Sequence, residues 1–138
     1  MTWILAAALA AQMGGAGMVT VAQDLMSGIE EPRQVAVQDE TAWARLWRAH
    51  AGDGLPPSVD FGTQTVLAVF LGTRTSGGFE VEITGVRVEG GVTVVQWVEH
   101  RPAPGRVAAM IITSPAHIVA VPRVAGEVRF ERVTPSAR

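Results

Sequence analysis

The stretch Val66-Leu67-Ala68-Val69-Phe70-Leu71 decides the fold class of this 138-residue chain. Six consecutive apolar residues between turn-forming segments are typical of a short β-strand whose two faces are both buried. A strand of this kind needs other strands on either side and a covering layer above and below. The sequence therefore predicts a sheet with a fully covered central strand.

The segment that follows shows the alternation of a strand with one buried face. From Phe79 to Ile83, apolar residues alternate with glutamates. The phase changes at Gly85, which predicts a β-bulge or a sharp bend at Thr84-Gly85. Gly90-Gly91 predicts a hairpin turn into the next strand. Further short strands are predicted at Val19 to Val21, Val35 to Val37, Val92 to Val98, Val107 to Ile112, Ile118 to Val121 and Val128 to Phe130.

One segment has the period of an α-helix. Apolar or aromatic side chains recur at i, i+3, i+4 and i+7 from Trp43 to His50. Asp39 is placed to cap the helix N-terminus and Gly52 to end the helix. Two tryptophans on so short a helix predict a core anchor rather than an aromatic binding face. The expected fold is mainly β (α+β), an antiparallel β-sandwich or curled sheet with one short amphipathic helix packed on it.

The N-terminus contains a second apolar run, from Ile4 to Ala11. It is shorter than the roughly 20 residues that cross a bilayer, but it suits the hydrophobic region of a secretory signal. Candidate cleavage sites are Ala8-Leu9-Ala10 and Thr20-Val21-Ala22, and the alternatives are a misassigned start or a frayed helix. We expect residues 1–22 to be a signal peptide or a disordered N-terminus, 23–133 to be a single domain and 134–138 to be a frayed tail. The expected location is secreted, periplasmic or cell-envelope.

Composition excludes several classes of function. The chain has no cysteine and no lysine, so it has no disulfide, no thiolate metal site, no cysteine nucleophile and no Schiff base. A net charge of −2 without a basic stretch argues against nucleic acid binding. The three histidines lack metal-ligand spacing, so no metal and no cofactor are expected.

Motifs for catalysis are also missing. The glycines from Gly72 to Gly78 have the spacing of a phosphate loop, but Phe79 follows instead of a lysine and a strand instead of a helix. The serine-hydrolase elbow G-x-S-x-G is absent. A hydrolase assembled in space from Ser76 or Ser114 with His117 stays open as an alternative, but we predict no catalytic residues.

Several short motifs occur in a fixed order over the range from Asp24 to Val133. The motifs are Ser27-Gly28-Ile29, Trp43 to Trp47, Val59-Asp60-Phe61, Gly72 to Phe79, Pro102 to Gly105, and Thr113-Ser114-Pro115. Together they resemble the PrcB C-terminal domain family. The family pattern has a threonine where this chain has Ser76, a tyrosine where it has Phe79 and a glutamine where it has Met110.

The resemblance implies a non-enzymatic protein-binding module, like the accessory subunit of a secreted protease complex. A protease inhibitor acting through an exposed loop is the alternative. We expect Arg74 to donate to carboxylate or carbonyl groups of the partner, and Gly77 and Gly78 to allow close approach of its backbone. The implied partner-binding residues are Gly72, Arg74, Thr75, Ser76, Gly77, Gly78 and Phe79, with a second rim of Pro102, Pro104, Gly105, Thr113 and Pro115.

Overall fold

The computed structural model describes residues 17–105 and 108–135. These residues form strands and a helix in an order close to the predicted one. The elements are β1 (Val19–Asp24), β2 (Arg33–Val37), α1 (Glu40–Ala51), β3 (Gln64–Phe70), β4 (Glu80–Glu89), β5 (Val92–His100), β6 (Ala116–Pro122) and β7 (Val128–Arg132).

The strands form two sheets that do not close into a barrel. The first sheet has the order β1-β6-β3-β2 and is antiparallel throughout. In the second sheet, of order β4-β5-β7, β4 and β5 are antiparallel and β7 lies parallel to β5. The mainly β prediction with one helix is confirmed, and the parallel β5–β7 pair is an addition to it.

The core has two apolar layers, one on each side of the first sheet. Leu67 and Val69 of β3 point into the layer between the two sheets, and Ala68 and Phe70 point into the layer under α1. Because strand side chains alternate between faces, one run of apolar residues supplies both layers. This explains why the run at 66–71 has no polar face.

The helix packs on the first sheet as predicted. The Asp39 side chain accepts a hydrogen bond from the N–H of Ala42, and the N–H of Gly52 donates to the carbonyl of Arg48. Trp43 is fully buried, and its Nε1 donates to the carbonyl of Pro57 at 2.9 Å. The core-anchor interpretation of this tryptophan is therefore correct.

Two local predictions have different outcomes. The bulge predicted at Thr84-Gly85 is confirmed, since the β4–β5 register shifts between Ile83 and Gly85. The strand predicted over residues 107–112 is wrong for the described part, 108–112, which joins no sheet. Met110, Ile111 and Ile112 are all exposed there, whereas a strand would alternate them between a buried and a solvated face.

The predicted leader and tail lie partly outside the described residues. The part outside consists of residues 1–16, which include the candidate cleavage site at Ala8–Ala10, and of residues 136–138. The other candidate cleavage site, after Ala22, falls inside β1. In the described ranges, no helix has the length and apolar character needed to cross a membrane.

Candidate functional site

One end of the sandwich collects most of the motifs that the resemblance rests on. At this end β3 finishes at Phe70 opposite Ala116, where β6 begins. In the other sheet β5 finishes at His100 opposite Glu80, where β4 begins. We call the segments that cover this end the rim, defined as residues 25–29, 71–79, 101–105 and 108–115.

The loop from Gly72 to Phe79, which we call the signature loop, is hydrogen-bonded along the segment 109–113. Arg74 and Thr113 exchange backbone hydrogen bonds of 2.7 and 2.9 Å. The N–H of Gly77 donates to the carbonyl of Ala109 at 2.8 Å, and Thr113 Oγ1 donates to the carbonyl of Ser76 at 3.0 Å. The chain's own backbone therefore fixes the shape of the loop.

Two glycines of the signature loop are packed against prolines of the same chain. A Cβ added at Gly72 would lie 2.8 Å from Pro32 Cδ, and one added at Gly78 would lie 2.9 Å from Pro102 Cβ. Both glycines also have positive φ values, 82° and 91°. The close approach at Gly78, expected to be made by a partner, is made here by Pro102.

The predicted second rim divides into a supporting and an exposed part. Thr113 and Pro115 are buried, and the carbonyl of Pro115 accepts the N–H of Leu71 at 3.0 Å. Pro104 and Gly105 are exposed, as is Thr75 in the signature loop. Residues 113–115 thus hold the rim in place, whereas Thr75, Pro104 and Gly105 contribute to its surface.

The Arg74 side chain is directed into the protein. Its Nε donates to Glu99 Oε2 at 3.0 Å, and one Nη donates to the carbonyls of Leu71 and Thr73 at 3.1 and 3.2 Å. The guanidinium also lies 5.7 Å from the ring centre of Phe79. Arg74 therefore joins the signature loop to the end of β5.

Glu99 is the centre of a group of arginines. Its side chain is only 1% exposed, and it contacts Arg74, Arg132 and, at 3.7 Å, Arg101. We call Arg74, Arg101 and Arg132 the arginine cluster. Burial opposes ionisation of Glu99, but the hydrogen bond from Arg74 and the charges of Arg74, Arg132 and Arg101 outweigh it and lower the pKa of Glu99. The carboxylate is therefore ionised in the folded protein at neutral pH.

An exposed apolar surface lies next to the signature loop. In the described part of the chain, five of the exposed large apolar side chains belong to the rim. The backbone joins them, because the Ser114 N–H donates to the Leu25 carbonyl and Met26 bridges Ser114. We call this surface the apolar band, formed by Leu25, Met26, Met110, Ile111 and Ile112.

A chain of hydrogen-bonded polar side chains lies beneath the rim, and no sequence motif predicted it. Ser27 Oγ lies 2.8 Å from His50 Nδ1, and His50 Nε2 lies 2.9 Å from Asp24 Oδ2. Ser27 Oγ also accepts the N–H of Ile29, so its own proton is available for His50 Nδ1. Ser27 and His50 are buried, and the contacts tie the C-terminal end of α1 to the segment after β1.

Gly28 completes this junction. Its N–H donates to the carbonyl of His50 at 2.8 Å, and a Cβ at this position would lie 2.5 Å from the carbonyl oxygen of Ala49. The Ser27-Gly28-Ile29 motif therefore has a structural explanation. Only the pairing of distant residues reveals it, since Ser27 and His50 are 23 positions apart.

His117 is held by groups other than the serines considered for a hydrolase. Its Nε2 lies 3.0 Å from Thr20 Oγ1, and its Nδ1 accepts the N–H of Ile83 at 2.9 Å. Burial lowers the pKa of His117, against the opposing charge of Glu82, so the ring is neutral at pH 7. Ser76 Oγ donates to the carbonyl of Gly77. Across residues 17–105 and 108–135, no three His, Asp or Glu side chains form a group that could hold a metal ion.

Comparison with known proteins gives a match to a family model. No curated protein and no solved structure matches the chain at a significant level. Residues 65–122 match the family model described as PrcB C-terminal. The matched range runs from β3 to β6 and includes the signature loop and residues 113–115, which the resemblance rested on. Over residues 65–122 the chain is similar to the PrcB C-terminal family, which confirms the resemblance for that range.

Proposed function

We propose that this chain is a non-enzymatic protein-binding module whose rim docks onto a partner protein. The proposed partner is a secreted protease, and the chain is its accessory subunit. The complex would lie at the cell surface or outside the cell. The observation that carries the proposal is the apolar band, which lies beside the signature loop of a family named for a protease-complex subunit.

The apolar band has the properties of a docking surface. Met110 is 90% exposed and Ile112 is 66% exposed, on a segment that lies outside both sheets. Full burial of such a side chain contributes about 1.5 to 3 kcal/mol. Contiguous exposed apolar surface on a soluble domain commonly marks an interaction site.

The rigidity of the rim also supports docking. Hydrogen bonds from Arg74, Gly77 and Thr113 hold the signature loop against the segment that carries the apolar band. A surface fixed in this way loses little conformational entropy when a partner binds. The loop therefore serves to position the band.

The non-enzymatic part of the proposal rests on how the candidate catalytic groups are used. Both ring nitrogens of His117 are hydrogen-bonded to Thr20 and Ile83, and Ser27 is buried under α1. Ser27 has a base beside its hydroxyl in His50, but a nucleophilic serine also needs a free approach for its substrate, which the burial of Ser27 prevents. Unchanged background hydrolysis of esters and peptides by a Ser27→Ala, Ser76→Ala, Ser114→Ala variant is the expected result.

The docking proposal is tested by capture with matched variants. We expect a tagged chain to capture a protease from envelope and culture-supernatant fractions, and the double variant Met110→Asp, Ile112→Asp to lose this capture at least tenfold. Leu55→Asp is the control, because Leu55 is at least as exposed as Met110 and Ile112 but lies outside the rim. Equal capture by all three proteins would contradict docking at the rim.

The activity of the captured protease separates an accessory subunit from an inhibitor. An accessory subunit leaves the protease active and lengthens its lifetime. Stoichiometric loss of activity on titration would instead show that a rim loop enters the active site, and the accessory role would be wrong.

A further inference from the structure

The arginine cluster carries more positive charge than its own carboxylate neutralises. Glu99 contacts Arg74, Arg101 and Arg132, and no other carboxylate of the described residues lies within ion-pair distance of these three. The group therefore has a net charge of about +2 in a chain whose net charge is −2. Arg87 of β4 shows the opposite balance, since it contacts two carboxylates.

Two members of the arginine cluster have donors directed at solvent. Arg101 is 70% exposed, and its Nη2 lies 3.7 Å from Glu99 Oε1, which is too long for a hydrogen bond. Arg132 donates to the same oxygen and is half exposed. Its guanidinium lies 5.4 Å from the ring centre of Trp97, which restricts its orientation. Because both guanidinium groups approach one oxygen, they lie side by side.

We propose that Arg101 and Arg132 form a carboxylate-binding site that takes an acidic group of the protein partner. Arginine guanidinium groups bind carboxylates through two parallel hydrogen bonds. A second carboxylate gives Arg101 the hydrogen-bonded partner that Glu99 is too distant to supply, and it lowers the repulsion among three cations. The identity of the ligand as part of a protein rests on the proposed function, whereas the chemistry of the site does not.

The site can be tested on the isolated chain. The probes are acetyl-hexaglutamate amide, which offers side-chain carboxylates, and acetyl-Ser-Gly-Ser-Gly with a free C-terminal carboxylate. We expect saturable shifts of the Arg101 and Arg132 Nε–Hε signals in nitrogen-15 NMR spectra with at least one probe, and the stronger probe identifies the source of the carboxylate. Shifts that grow without saturation at every arginine with both probes would overturn the site, because they indicate only general attraction to anions.

Arg101→Gln is the informative variant, because Arg101 makes no hydrogen bond to Glu99 that folding depends on. It should weaken binding of the probe by about three- to fivefold, the size of an exposed ion pair. Arg48→Gln, the same change on the exposed surface of α1, is the control and should leave the affinity unchanged. Equal affinities of the wild type and Arg101→Gln would contradict the assignment.

Partner capture separates this inference from the docking proposal. Arg101→Gln should lower capture and reduce its dependence on salt concentration. If Met110→Asp, Ile112→Asp abolishes capture and Arg101→Gln changes neither capture nor probe binding, the carboxylate site is wrong and docking at the rim stands. If the probe binds at Arg101 and neither variant lowers capture, docking at the rim is wrong and the site stands.

Discussion

The rim and the opposite end of the sandwich both contain glycines with positive φ, but the surroundings of those glycines differ. At the opposite end, which we call the hairpin end (residues 60–63, 89–92 and 123–127), a Cβ added to Gly90 or Gly91 would meet no atom within 4 Å. At the rim, a Cβ on Gly72 or Gly78 would lie less than 3.0 Å from a proline. Gly90 and Gly91 are therefore needed for backbone conformation alone, whereas Gly72 and Gly78 are also needed for space.

Polar contacts hold both ends. The hairpin end combines local contacts, such as the Gly62 N–H donating to Asp60 Oδ1, with long-range ones from Arg123 to the carbonyls of Phe61 and Thr63. The rim is held by contacts between residues far apart in sequence, such as Arg74 with Glu99 and Ser27 with His50. A surface built from distant segments is fixed only when the whole domain is folded, which suits a docking site that must have one shape.

The largest expected effect on stability is at Gly28. Gly28→Ala places a methyl group against the carbonyl oxygen of Ala49, and we expect a loss of about 3 kcal/mol in the free energy of unfolding. Urea denaturation measures it. Gly90→Ala, with free space around it, should cost about 1 kcal/mol for its positive φ, and Gly90→Asn should cost less. Equal losses for Gly28→Ala and Gly90→Ala would show that crowding does not distinguish the two ends.

The next largest effect on stability is expected at Glu99. Replacing its carboxylate by the amide of glutamine leaves three arginines around a neutral group. We expect Glu99→Gln to cost about 2 kcal/mol at pH 7. Because the pKa of Glu99 is lowered on folding, its contribution is complete above its ordinary value of 4.5 and is lost as the pH falls through the folded pKa. The stability difference between wild type and variant should therefore shrink below pH 4.5. Glu89→Gln, at an exposed pair with Arg87, should change stability by less than about 0.5 kcal/mol at any pH.

A smaller effect is expected at His117, away from the rim surface. Burial lowers the pKa of His117, so the unfolded chain takes up a proton first as the pH falls below 6.5. Stability is then full above pH 6.5 and decreases below it by at most about 1.4 kcal/mol per pH unit until the folded pKa is reached. His117→Gln, which can accept from Ile83 and donate to Thr20, should remove this slope, and His100→Gln on the exposed face should keep it. An unchanged slope in His117→Gln would contradict a neutral, buried His117.

The parts of the fold that depend on local chemistry could be predicted from the sequence. Asp39 caps the start of α1 and Gly52 its end, as expected, and Gly85 marks the bulge. These features could be predicted because caps, turns and bulges involve neighbouring residues. The two-sided burial of residues 66–71 followed from their composition.

The site was harder to predict, because its contacts join distant segments. The residues Met110 to Ile112 have the composition of a buried strand, and nothing in their neighbours indicates that they are exposed. Arg74 was expected to donate to a partner protein, but its guanidinium donates to Glu99, which lies 25 positions along the chain. Most motifs of the family resemblance lie at one end of the molecule, and only the structure separates the supporting residues of that end from its surface.

Hydrogen–deuterium exchange of the chain, alone and bound to its captured protease, tests docking at the rim most directly. We predict slower exchange on binding for residues 108–113 and for the signature loop, and unchanged exchange for residues 89–92 of the hairpin end. Protection at the hairpin end with an unchanged rim would contradict the account.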